Sequence, residues 1–139
     1  MYDCPKIACD AIIFNEKNEL LLIRRGKEPF LNMFAFPGGH MNIGETTEEC
    51  CARELFEETG IKISPSELQL IGVYSDPKRD PRKHCVGVSY IGHVKNQLPK
   101  AADDAKTAEF IDDYINAPMA FDHSLILKDA LKIKNENSK

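Results

Sequence analysis

Long apolar runs are missing from this chain. No stretch approaches the roughly 18 consecutive apolar residues that a spanning helix needs. No charged-then-apolar segment opens the sequence, so neither a membrane contact nor an export signal is expected. Positive charge is also scarce. With 18 Lys and Arg against 22 Asp and Glu, the formal charge of −4 gives no electrostatic footprint for nucleic acid. The five cysteines include no CxxC pair, and an odd number cannot close a disulfide set. Free thiols in a cytoplasmic protein are therefore expected, with Cys50 and Cys51 as small buried fillers rather than reactive or metal-binding groups. Internal repeats and low-complexity tracts are absent as well. What remains is one domain's worth of chain, residues 1–139, with 42% hydrophobic residues to build a core without staples.

The apolar runs that do occur are short. Ile7 to Phe14 and Glu19 to Ile23, separated by the turn-forming Asn15 to Asn18, read as a β-hairpin. Pro37-Gly38-Gly39 is a strong break. Thr46 to Thr59 is the clearest helix: Thr46 and Glu49 form a capping-box pattern and Gly60 sits where a helix-ending glycine belongs. Leu68 to Tyr74, Cys85 to Val94 and Thr107 to Ile111 read as strands, with a charged, proline-containing loop over Asp76 to Lys83. Leu125, Ile126, Ala130 and Ile133 fall at helical spacing and predict a second helix over Phe121 to Ile133, followed by a polar tail that frays. Strands interleaved with two helices predict an α/β fold with helices on both faces of a mixed sheet.

The chemistry concentrates on the first helix. At 100° per residue, Glu54, Glu57 and Glu58 share one face, while Ala52, Leu55 and Phe56 face a sheet. Like charges at this spacing repel by a few tenths of a kcal/mol per pair, so something should neutralise them. A hard divalent cation, Mg²⁺ or Mn²⁺, is one answer; a solvated acidic face is the other. Glu45 stands at the helix start, and Arg53 is placed to pair with Glu57 and fix its rotamer.

Taken together, Gly39, five residues, Glu45, seven residues and Arg53-Glu54-Leu55-Phe56-Glu57-Glu58-Thr59-Gly60-Ile61 resemble the Nudix box, GX5EX7REUXEEXGU with U aliphatic, at every fixed position. The resemblance implies a Nudix-type α/β/α sandwich with a mixed β-sheet between helices. It also implies metal-dependent hydrolysis of a nucleoside diphosphate linked to another moiety. Carried over by position, Glu54, Glu57 and Glu58 would be metal ligands with the carbonyl of Gly39, and Arg53 would orient Glu57.

Outside the box, Ser75-Asp76-Pro77-Lys78-Arg79-Asp80-Pro81-Arg82-Lys83-His84, Asp103-Asp104 and Phe121-Asp122-His123 resemble small ADP-ribose pyrophosphatases. That implies ADP-ribose as substrate, split into AMP and ribose 5-phosphate. Arg79, Arg82 and His84 offer donors to phosphate or ribose oxygens, and Asp76 an acceptor; turn chemistry with solvated arginines is the competing reading. Arg24 and Arg25 alternate across a strand, so at most one reaches the site, and Arg24 is the candidate. Asp103 or Asp104 would position water, or merely cap a turn. His123 reads as a packing or helix-start residue, and Phe36 as core, with Phe30 free to stack on a base. The general base is left between Glu58 and Asp103 or Asp104. Oxidised nucleoside triphosphates, NADH and diadenosine polyphosphates are the alternative substrates. A non-catalytic ADP-ribose sensor would need an appended DNA-binding domain, for which few residues follow the last helix. A homodimer is compatible with the resemblance, since small ADP-ribose pyrophosphatases are often dimers.

Overall fold

The computed structural model describes residues 4–102 and 105–137. The strands are β1 (Lys6–Phe14), β2 (Leu20–Arg25), β3 (Phe34–Ala35), β4 (Gly38–His40), β5 (Gln69–Tyr74), β6 (Cys85–His93) and β7 (Ala105–Ile111). The helices are α1 (Thr47–Thr59) and α2 (His123–Asn137). The sheet runs β3-β2-β1-β6-β5, with β4 joined to β1 and β7 to β2. Among the strands described, β1 and β6 form the one parallel ladder, in register from Lys6↔Cys85 to Phe14↔His93, so the sheet is mixed.

The expected hairpin is present only at its tip. β1 and β2 pair at Phe14↔Leu20, beside a turn in which Asn15 accepts from the amides of Lys17 and Glu19. Beyond that pair the strands separate, and β2 turns to β7 and β3. The cause lies in their composition. Cys9–Phe14 of β1, apolar but for Asp10, and Leu20–Ile23 of β2 are buried without alternation, so each strand needs cover on both faces and a strand partner on either side.

Period-2 alternation sorts β1 between two cores. Cys9, Ala11 and Ile13 pack toward α1 with Leu55 and Cys51, while Ile12 and Phe14 pack toward α2 with Ile126 and Ala130. Each fully buried Ile or Leu contributes about 1.5–3 kcal/mol. α1 is capped as its sequence predicts: Thr46 Oγ1 accepts from the amide of Glu49, whose carboxylate accepts from the amide of Thr46. Gly60 closes the helix at φ +74°, donating to the carbonyl of Phe56.

Two expectations are corrected. Phe56 does not bury against the sheet but lies half exposed, with Lys62 over its ring; Cys50, Cys51, Leu55 and Thr59 supply the packed face instead. α2 does not fray after Ile133 but continues to Asn137, because Lys134 reaches Asn18 and the ring of Phe14, and Asn137 bonds Gln69. No helix among the described residues is long and apolar enough to cross a membrane.

Candidate active site

Arg53 is the hub of the acidic helix face. Its Nε and Nη2 donate to Glu45 at 3.0 and 2.8 Å, and Nη1 donates to Glu54 at 2.8 Å. The same Nη1 lies 2.9 and 3.1 Å from the two oxygens of Glu57, and Nη2 also reaches the carbonyl of His40. The Arg53 bonds, aided by the amide of Asn42, hold the Glu45 carboxyl down to about 2. The network is only partly buried, with Glu57 its most exposed member, so its value is orientation more than stability.

The double glycine brings a strand against that helix. β4 runs antiparallel to β1, placing Gly39 opposite Cys9 and Gly38 opposite Asp10. A Cβ on Gly39 would stand 2.4 Å from the Glu54 carboxylate, so only glycine lets that group lie on the strand. The amide of Gly38 donates to Glu58 at 3.4 Å. Glu54 and Glu58 thus line one open groove with Gly38, Gly39, His40, Asn42 and Lys27. Glu57 stands outside its lining, tied to Arg53.

Behind the groove lies a cavity of about 160 Å³, sharing Gly38, Gly39, His40 and Glu58 with it. Its inner walls include Asp10, Arg25, Phe36, Arg79, Asp80, Arg82, Phe121 and His123. Arg79 makes a bidentate pair with Asp122, Nε and Nη2 each at 2.8 Å, and is 7% exposed. Arg82 pairs with Asp80 at 2.9 Å. Arg25 donates to the carbonyl of Pro29 and lies 4.8 Å over the ring of Phe121.

Two titratable groups are buried at the cavity floor. Loss of water pushes the Asp10 carboxyl up to about 7, with Arg79 opposing the shift and Asp122 reinforcing it. Burial pushes His123 down to about 3, so it is a neutral imidazole. The amide of Phe36 donates to its Nδ1 at 3.2 Å, which assigns the ring proton to Nε2. Nε2 stands 3.8 Å from Asp10 Oδ2, and the imidazole stacks on Phe36 at 5.0 Å.

The other residues named from the sequence fall elsewhere. Arg24 lies over the ring of Phe34 at 4.3 Å and bonds the carbonyl of Asn32; Arg25, not Arg24, lines the cavity. Asp76 accepts from the amide of Lys78 within its own turn. His84 meets the carbonyl of Ser75 on the exposed surface. Phe30 packs on Phe121 at 4.8 Å. Asp103 and Asp104 lie outside the described residues. Sequence reasoning missed Asp10, Arg25, Asp80 and Phe121 as lining groups and Asp122 as the partner of Arg79. For Asp10 the signal was there: one carboxylate interrupts an otherwise apolar strand.

A carboxylate-bearing helix packed on a glycine strand, over a mixed sheet clad by helices, now meets its relatives. The family model for the NUDIX domain matches residues 5–129. An ADP-ribose pyrophosphatase of Methanocaldococcus jannaschii is 46% identical over 135 residues, 97% of this chain and 78% of that one. A MutT/nudix family protein from Enterococcus faecalis matches with TM-score 0.87 at 30% identity, over 98% of this chain and 64% of that one. A bifunctional NMN adenylyltransferase/ADP ribose pyrophosphatase from Francisella tularensis, complexed with AMP and a manganese ion, matches with TM-score 0.81 at 27% identity. It is covered over 94% of this chain and 42% of that one, so the chain spans less than two thirds of either solved relative. The chain belongs to the Nudix family, and its fold is the Nudix fold.

Nudix hydrolases generally need a divalent metal ion. The donor chemistry here suits one: carboxylates of Glu54 and Glu58 on a shared groove beside the carbonyl of Gly39, all hard oxygen donors. Among the described residues, no three acidic, histidine or cysteine side chains are already drawn together as a cation cage. Glu54 and Glu57 instead turn to Arg53.

Proposed function

We propose that this protein hydrolyses ADP-ribose to AMP and ribose 5-phosphate with Mg²⁺ or Mn²⁺. The observation that carries the reading is the junction at Gly38, Gly39 and Glu58, where an acidic groove opens into a cavity walled by Arg25, Arg82 and Phe121. That arrangement would take a diphosphate at the groove and the group attached to it at the cavity, and the relative from M. jannaschii is an ADP-ribose pyrophosphatase.

In this reading Glu54, Glu57, Glu58 and the Gly39 carbonyl hold the cation. When bound, it offsets charge on the diphosphate oxygens and acidifies water. Arg53 orients Glu57 and restrains Glu45 and Glu54. Glu58, at the mouth shared by groove and cavity, is placed to take a proton from attacking water. Arg82 and Arg25 face the cavity, where their charge offsets that of an anionic ligand. Arg79, locked to Asp122, shapes the wall and offers little to a phosphate.

The test is a substrate panel with each metal: ADP-ribose, NADH, diadenosine polyphosphates, and ordinary and oxidised nucleoside triphosphates. Chromatography should show AMP, and ³¹P NMR should show cleavage within the diphosphate. Turnover of ADP-ribose no better than of the other compounds would overturn the substrate assignment.

A further inference from the structure

Asp10 has a cost that the fold does not recover. It is 8% exposed, it interrupts a buried strand, and no hydrogen bond from the described residues satisfies its carboxylate. The guanidinium that could have served it, Arg79, is spent on Asp122. His123 Nε2 stops at 3.8 Å, beyond hydrogen-bond reach. A buried carboxylate left this way destabilises a protein by more than an apolar group of the same size would. Its oxygens open onto the cavity, where a ligand could supply the missing donors.

Position narrows the choice of donor. Asp10 lies opposite Gly38, and a Cβ on Gly38 would stand 2.3 Å from Asp10 Oδ1. The amide of the same Gly38 reaches Glu58. Asp10 is therefore one residue away from the mouth where the diphosphate is proposed to sit. In a nucleoside diphosphate sugar, the unit next to the diphosphate is a ribose, and the base lies further out.

We infer that Asp10 is a specificity-determining residue whose two carboxylate oxygens receive the vicinal hydroxyls of the ribose adjoining the diphosphate. This rests on the function proposed above. Two acceptors on one rigid carboxyl match two adjacent hydroxyl donors, and short O–H to carboxylate bonds are the strong kind. A site built around such donors rejects a ligand lacking one, because the carboxylate is then left buried and unserved.

The experiment compares ADP-ribose with two analogues, one 2′-deoxy in the adenosine ribose and one 2-deoxy in the terminal ribose, on wild type, Asp10→Asn and Asp10→Ala. The wild type should use one analogue roughly 10–100-fold less well by kcat/KM, which also identifies the ribose. Both variants should lose most activity on ADP-ribose and treat that analogue and ADP-ribose within about threefold of each other, and calorimetric affinities measured with a chelator present should follow the same pattern. Melting temperatures no lower than wild type should show that Asp10→Asn is folded; if Asp10→Ala is not, Asp10→Asn alone decides. Wild-type discrimination retained in the folded variants, or none in the wild type, overturns the inference while leaving the substrate reading intact. A wild type that neither binds nor cleaves ADP-ribose overturns both.

Discussion

Arg53 clasps Glu57 one helical turn away, with a single guanidinium nitrogen 2.9 and 3.1 Å from the two carboxylate oxygens. The other nitrogens hold Glu45, so one planar group sets the rotamers of three acids. Lysine cannot span them, having one compact ammonium in place of a fork. Arg53→Lys should therefore lower kcat on ADP-ribose by about 10–100-fold while melting within a few degrees of wild type, since partly exposed ion pairs contribute little stability. Steady-state kinetics beside a thermal melt separate the two effects.

Glu58 alone among the four box glutamates lines both groove and cavity. Glu58→Gln keeps its shape and removes the charge and the proposed proton acceptor. Turnover at saturating Mg²⁺ should fall by at least ~100-fold with the fold unchanged. Glu57→Gln should also cost activity, by losing both a donor oxygen and its hold on Arg53. Activity of Glu58→Gln within threefold of wild type would remove Glu58 from the machinery.

The adjacent glycines should separate catalysis from folding. A methyl on Gly39 meets the far end of the Glu54 side chain, which can swing away. Gly39→Ala should stay folded and lose activity. A methyl on Gly38 meets the backbone carbonyl of Cys9 at 2.4 Å, which cannot yield without moving β1. Gly38→Ala should cost about 1–3 kcal/mol or more of stability by denaturant unfolding.

Asp10 and His123 should tilt stability with pH in opposite senses. The Asp10 carboxyl titrates near 7 in the fold against 3.8 in an open chain. The native state then binds the extra proton, and stability is lost as pH rises from about 4 through 7. His123 titrates near 3 in the fold against 6.5, so the unfolded state binds the extra proton and stability is lost as pH falls from about 6.5 toward 3. Removing one exposes the other. Asp10→Asn should melt above wild type at pH 8, with the gap closing by pH 4. A gap that does not change with pH would assign the Asp10 carboxyl an ordinary titration.

The site was legible where it is local. The capping box at Thr46 and Glu49, the αL glycine at Gly60 and the one-face spacing of Glu54, Glu57 and Glu58 all depend on neighbours a turn away, so residue type and spacing carry them. What escaped needs contacts between distant segments. Nothing near Asp10 in sequence announces His123 or Gly38, and only the β1–β4 register sets them side by side. The choice between Arg24 and Arg25 turned on which face of β2 looks into the cavity, and that is set by β3 and β7, not by β2 itself. Phe56 was misplaced because hydrophobicity alone does not tell the packed side of α1 from its flank. The small thiols Cys50 and Cys51 allow the close approach to β1 and β4 that a phenyl ring would prevent.

The parallel pairing of β1 with β6 joins residues 79 apart at every rung, Lys6 to Cys85 and Phe14 to His93 (85 − 6 and 93 − 14 are both 79). As the chain leaves the ribosome, β1 must wait for its principal neighbour β6 until a further 79 residues have been made. During that interval β1 has only its tip pair with β2 and its short ladder with β4, and closure of the long parallel ladder is non-local and slow. The nascent chain is most exposed to misassociation at β1, even though that strand ends inside the finished sheet.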